Sequence, residues 1–281
     1  MAKDMNNILI PTDFSDNAWN ALDYAVSFFK KEECSFYLLH VSASEMVASG
    51  ITSEIIMSPF EEKTTVSKRF TDLREKIKQF PTNKKHHFFT LHEYGYLVDT
   101  IRNIVAEKSI DYIVMGTKGA SGWKERTIGS NTGDVITKVK CPILVIPEKA
   151  TYIKPIEIAF PTDYNLQYRS KVLNTIRTVV ATSDANFRIL HIAKKEKELS
   201  ELQKENKNLL DDYLGDTLKH SFHFLSTANI EEGVQSFVES SNINMITMIA
   251  KNVNFFQRIL FRPTVEKISY HTHIPFFVLH E

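Results

Sequence analysis

Short apolar runs alternate with stretches of helical periodicity through the first half of the chain. The runs lie at residues 7–11, 35–41, 86–92, 111–115 and 143–146, the lengths expected of strands. Between them, apolar residues recur three or four positions apart. Ala18, Leu22, Ala25, Val26 and Phe29 follow Ser15, whose hydroxyl suits a helix N-cap. Val66, Phe70, Leu73, Ile77 and Phe80 form a second stripe. Val98, Ile101, Ile104 and Val105 form a third, and Val135 with Val139 a short fourth. This alternation predicts an α/β fold, a parallel sheet with helices on both faces. Ligands of such sheets sit at the carboxyl ends of the strands, near a switch in strand order.

The second half repeats the first. Ile8, Pro11, Thr12 and Asp13 recur as Ile158, Pro161, Thr162 and Asp163, at an offset of 150. "YLLHV" recurs as "RILHI" at 151, while "DYIVM" and "CPILVIP" recur as "NMITM" and "IPFFVLH" at 133. The chain therefore reads as two copies of one unit, residues 1–149 and 150–281, with the boundary near "EKATYIKP". The offset falls by 18 between the second and fourth matches, which assigns an extra loop at 42–60 to the first copy alone. Long loops of that kind are usually either functional or mobile. The charged segment 194–214, with Leu199, Leu202, Leu209, Leu210 and Leu214 as its apolar stripe, is expected to match the helix of the second stripe.

Charge narrows the partners. The chain has 34 basic and 34 acidic residues, a formal net charge of zero. A general nucleic-acid or anionic-membrane binder rests on excess positive charge, so neither class is expected. No apolar run reaches the length that spans a bilayer, and the first residues lack a signal-peptide core. Two cysteines without a CxxC suit a reducing compartment, so a cytoplasmic protein is the expectation. The pairs His220/His223 and His271/His273 lack a third ligand nearby, and no metal site is assigned to them. His40 and His191 end equivalent strands and are expected to be structural.

Five of the nine glycines lie within "MGTKGASGWKERTIGSNTGDVI", residues 115–136. This is not a GxxxxGK[ST] loop, since Lys118 precedes Gly119. It offers Gly116, Gly119, then Gly129 and Ser130 opening the helix of Val135 and Val139. Glycines let backbone amides approach an oxyanion, and a helix N-terminus presents unpaired N–H groups and partial positive charge. Ser130 and Thr132 add hydroxyls, which completes an anion cradle without a lysine. Two readings stay open from these residues alone: a phosphate cradle, or a flexible turn in which Ser130 is only an N-cap. Asp13 divides likewise between a ligand contact and a turn before the first helix.

Gly116, two residues, Gly119, nine residues, Gly129-Ser130, together with Asp13 after the first strand, resemble the nucleotide-binding pattern of the universal stress protein family. "ILIPTDFSDNAWNALDYA" and "KCPILVIP" resemble its opening and closing segments, and the resemblance covers nearly all of both copies. It implies two tandem five-stranded parallel sheets of the Rossmann-like, adenine nucleotide α-hydrolase-like kind, packed as a pseudo-dimer through strands 143–146 and 276–279. It implies ATP at the strand ends with Mg2+ or Mn2+ on the phosphates. Pro11, Thr12 and Asp13 would line adenine and ribose, and Val41 would give a backbone contact to the base. Met115 and Gly116 would lie under the ribose, and Gly119, Gly129, Ser130, Asn131 and Thr132 would cradle the phosphates. An ionised Asp13 suits ribose hydroxyls as a pure acceptor. Lys118, Lys124 and Arg126 are read as solvated loop charges.

The second copy departs from the pattern. Gly116, Gly119, Gly129 and Ser130 fall on Ile249, Asn252, Arg262 and Pro263, and Phe255, Phe256, Ile259, Leu260 and Phe261 occupy the cradle's place. ATP is therefore expected in the first copy alone. The expected role is a regulatory, stress-response binding module, in which ordering of the 42–60 loop links ligand to readout. No nucleophile or general base stands out near the motif. The rivals are a slow ATPase or nucleotidyl transferase on the same fold, and a scaffold that binds no nucleotide. The enzyme reading is weakened because "PTDFSDN" stands where HxGH or SGGxDS would. A homodimer of the whole chain is a further option.

Overall fold

The computed structural model describes residues 5–43, 59–80, 83–117, 129–193, 198–250 and 273–280, with backbone only at 59–61. The first half runs β1 (Asn6–Pro11), α1 (Asp16–Phe28), β2 (Cys34–Ser42), α2 (Pro59–Lys78), β3 (His86–Tyr94), α3 (Leu97–Glu107), β4 (Tyr112–Gly116), α4 (Ser130–Lys138) and β5 (Ile143–Ile146). The second runs β6 (Glu157–Pro161), α5 (Ser170–Ser183), β7 (Asn186–Ala193), α6 (Glu201–Leu214), β8 (His220–Ser226), α7 (Ile230–Ser240), β9 (Met245–Ile249) and β10 (Phe276–Leu279).

These strands form one ten-stranded sheet in the order β3-β2-β1-β4-β5-β10-β9-β6-β7-β8. Neighbours are parallel within each half. Registers repeat as well: Ile8 faces Tyr112 in one half, and Ile158 faces Met245 in the other. The halves meet where β5 and β10 run antiparallel, pairing Val145 with Phe276, Leu144 with Phe277 and Ile143 with Val278. Phe277 is the counterpart of Leu144 at the offset of 133. The pairing is thus symmetric about that couple, like the interface of a twofold dimer. The expected pseudo-dimer is present within one chain, and it removes two open sheet edges.

Alternate strand residues face opposite layers. Ile8, Ile10, Phe36, Leu38, Leu144 and Phe277 pack with residues of α1, α2, α5 and α6. Leu9, Leu39, Ile113, Val145, Phe276 and Val278 pack with residues of α3, α4 and α7. Both clusters run across the β5–β10 seam, so the two halves share their cores. Residues 147–156 join the halves without helix or strand. Asn20 of α1 fastens this connector, donating to the Pro147 and Ala150 carbonyls at 3.2 and 3.0 Å. Among the described residues no helix is long and apolar enough to cross a membrane.

Ser15 caps α1 as expected, its hydroxyl accepting from Ala18 N. The five-leucine stripe needs correction. α6 begins only at Glu201, behind a capping box of Ser200 and Gln203. Its buried line is Asn206, Leu210 and Leu214, whereas Leu202 and Leu209 are 47% and 44% exposed. A hydrophobicity reading passes over Asn206, which is buried because it donates to the Tyr164 carbonyl at 2.7 Å. The extra loop is also shorter than 42–60: Ser42 closes β2, and α2 begins at Pro59. Residues 44–58 and 194–197 lie outside the described residues.

Burial is the leading cause that holds His86, His92, His223 and His280 below the ordinary histidine value. Unfolding returns each to about pH 6.5. The unfolded chain therefore binds more protons below that value, and stability present above it is lost as pH falls. Thermal unfolding should shift downward between about pH 7.5 and about pH 5.5, and His86→Gln should flatten that slope.

Candidate functional site

The "PTDF" turn closes β1 at the carboxyl edge of the sheet. Thr12 Oγ1 accepts from Phe14 N at 3.0 Å, and Asp13 Oδ1 accepts from Ser15 N at 3.0 Å. Phe14 takes a left-handed φ of 64°, which a bulky residue adopts only when its surroundings hold it there. Its ring is 4.8 Å from His40 and 5.0 Å from Phe70, centroid to centroid. His40 Nδ1 donates to the Thr12 carbonyl at 2.8 Å.

The second copy builds the same turn. Thr162 Oγ1 accepts from Tyr164 N at 3.0 Å, Asp163 Oδ1 from Asn165 N at 3.1 Å, and His191 Nδ1 donates to Thr162 O at 3.0 Å. Tyr164 has a φ of 56°. Both histidines are structural, as expected, and both aspartates hold a turn. Asp13 thus has a turn role whatever else it contacts.

After β4 the chain returns to the sheet at Gly129, whose N–H donates to the Thr117 carbonyl at 2.6 Å. Gly129 is the N-cap of α4, extended at φ −60° and ψ 153°, and as a glycine it makes no side-chain cap bond. Ser130 is therefore the first helical residue and not the cap. Thr132 is buried, and its hydroxyl donates to the Gly116 carbonyl at 2.8 Å. That corrects its assignment as a free donor: its proton ties α4 to β4.

One cleft gathers most of the residues singled out from sequence. Pro11, Thr12, Asp13, Val41, Met115, Gly116, Asn131 and Thr132 all line it. Gly129 and Ser130 stand immediately before Asn131 at the head of α4. Gly119, Lys118, Lys124 and Arg126 lie outside the described residues, as do Asn252, the run from Phe255 to Phe261, Arg262, Pro263 and His271. Ala18, Leu39, His40 and Leu97 also line the cleft, none of them a site candidate from sequence, which reads Ala18 as helix core and His40 as structural. Their signal was positional: each lies at a strand's carboxyl end or in the first turn of the helix that follows. A second cleft of about 510 Å3 backs onto the same turn and shares Thr12 and Asp13, with Trp19, Arg69, Asp72 and Lys76 on its walls.

Gly116 has a different reason from the one its motif suggests. A Cβ there would meet Asn17 of α1, with Oδ1 at 2.8 Å and Cγ at 2.9 Å. The added atom points at the helix packed on β4. Ile249 fits at the equivalent place because α5 starts seven residues after Asp163, whereas α1 starts three after Asp13. Ile249 is buried there in the same core as Tyr168. Gly116→Ala should lower stability by about 1–3 kcal/mol, and Asn17→Ala should restore much of it in the double variant. Urea unfolding of the three variants checks the coupling.

A profile described as the universal stress protein family matches residues 5–147. The chain belongs to the universal stress protein family. The universal stress protein YxiE of Bacillus subtilis is 30% identical over 145 residues, which is 50% of this chain and 98% of that one. A universal stress protein of Methanocaldococcus jannaschii is 28% identical over 153 residues, 50% of this chain and 94% of that one. The crystal structure of a universal stress protein from Archaeoglobus fulgidus matches 98% of both chains at a TM-score of 0.70 and 17% identity. A full-length match at that identity speaks for the fold. Two universal-stress-like halves therefore share one continuous sheet in this member of the family.

Proposed function

We propose that this universal stress protein binds one adenine nucleotide, ATP with a divalent cation on its phosphates, in the cleft of residues 1–149. The carrying observation is convergence: eight of the positions that the family resemblance names line one cleft, beside a helix whose N-cap, Gly129, has no side chain to cap its first amides. The ends of β1, β2 and β4 would hold the nucleoside, with Asp13 accepting from the ribose hydroxyls. The amides of Ser130, Asn131 and Thr132 would face the phosphates, where partial positive charge favours an anion. Residues 150–281 repeat the turn without this cradle and are proposed to bind no nucleotide.

The proposed role is a regulatory binding module rather than an enzyme. Among the described residues that line the cleft, the two suited to proton transfer already have structural work, since Asp13 holds its turn and His40 the Thr12 carbonyl. Calorimetry with Mg-ATP on the whole chain tests the proposal, together with mass spectrometry of nucleotide released by heat from the purified protein. Binding of one nucleotide per chain is the expected result. No heat above dilution and no released nucleotide would leave the scaffold reading. Steady turnover of ATP, abolished by Gly129→Val, would replace it with an enzyme.

A further inference from the structure

We propose that the second half positions the first half's anion-binding helix, through a single side chain, His280. The inference rests on the nucleotide reading of α4. His280 follows β10, and its Nε2–H donates to the Ile136 carbonyl at 2.6 Å, across 144 positions of sequence. Ile136 lies in the last turn of α4, where carbonyls lack partners within the helix. Its neighbours are held too. Val139 N donates to Val135 O, and Arg102 of α3 donates through Nε and Nη2 to Lys138 O at 3.0 and 2.8 Å.

α4 is nine residues long, so fixing its C-terminal turn fixes the direction of its N-terminal amides. Those amides are the proposed phosphate donors. The device is one-sided. Pro147 is the counterpart of His280 at the offset of 133, and its side chain has no donor. Burial keeps His280 below the ordinary histidine range against the pull of the Ile136 and Cys141 backbone, and Lys140 and Lys171 push it the same way as burial. A neutral ring protonated at Nε2 is the form that fits. The second half, without a cradle of its own, would then serve the first half's cradle.

The test compares His280→Leu, which removes the donor, with His280→Gln, which keeps an N–H at similar reach. Affinities for Mg-ATP and for adenosine are measured by calorimetry on the full chain. His280→Leu should weaken Mg-ATP roughly five- to tenfold and leave adenosine unchanged, the size of one hydrogen bond. His280→Gln should stay within about twofold of wild type for both. A merely structural residue would lower both affinities together. The positioning role is overturned if His280→Leu binds Mg-ATP as wild type does, if adenosine weakens equally, or if glutamine fails to rescue. Failure of the wild type itself to bind Mg-ATP would overturn the nucleotide reading and this role with it.

Discussion

Phe277→Ala is expected to destabilise the whole chain by about 3–5 kcal/mol, the range for emptying a buried phenylalanine site. Phe277 is 1% exposed, and it pairs with Leu144 at the centre of the seam. Its ring centroid is 6.1 Å from that of Tyr112 in the first half. Its core includes residues of α1, α2, α5 and α6 together. The deletion in the second half should therefore be felt in the first. Both tryptophans, Trp19 and Trp123, lie in the first half, so their fluorescence reports that half alone. Far-ultraviolet circular dichroism reports both. In urea the two signals should move together to lower midpoints, as one cooperative unit does. An unmoved fluorescence midpoint would mean that each half folds on its own and that the shared core is only contact.

The same seam shows what was legible in sequence. β5 and β10 fall where their apolar runs do because both faces of each strand are buried, and such strands are apolar without a break. Strands bordering polar turns are less sharp, so β3 continues two residues past its run, to Tyr94. α6 misled for a physical reason. Leucine is read as core and asparagine as surface, yet the Tyr164 carbonyl needs a donor, and Asn206 is the buried residue that provides it. In the site, the glycine motif put Gly116 beside the cleft and Gly129 at the head of α4, but did not give the reason for each glycine. Gly116 makes room for Asn17, a contact between elements distant in sequence that no local motif can encode. The cleft's apolar walls, Leu39 and Leu97, look like any core leucine until the sheet brings their strand and helix ends together.

The duplicated turn allows the two roles of Asp13 to be separated by experiment. Asp13→Ala and Asp163→Ala each remove one Asx hydrogen bond of nearly equal length, 3.0 and 3.1 Å. Each should lose about 1 kcal/mol of stability, as one partly exposed hydrogen bond contributes. The two variants should therefore unfold at similar urea concentrations. Nucleotide affinity should separate them. A carboxylate accepting from ribose hydroxyls makes charge-assisted bonds, about 1.5–3 kcal/mol in total effect when one is removed. Asp13→Ala should accordingly weaken Mg-ATP roughly 10- to 100-fold, and Asp163→Ala should leave it unchanged. Asp13→Asn refines the comparison, since its amide oxygen can still hold the turn while the charge is gone. It should keep wild-type stability and still bind Mg-ATP weakly. Equal affinities in Asp13→Ala and Asp163→Ala would reduce Asp13 to a turn residue, and the nucleoside end of the cleft would then have to be recognised by its backbone and its apolar walls.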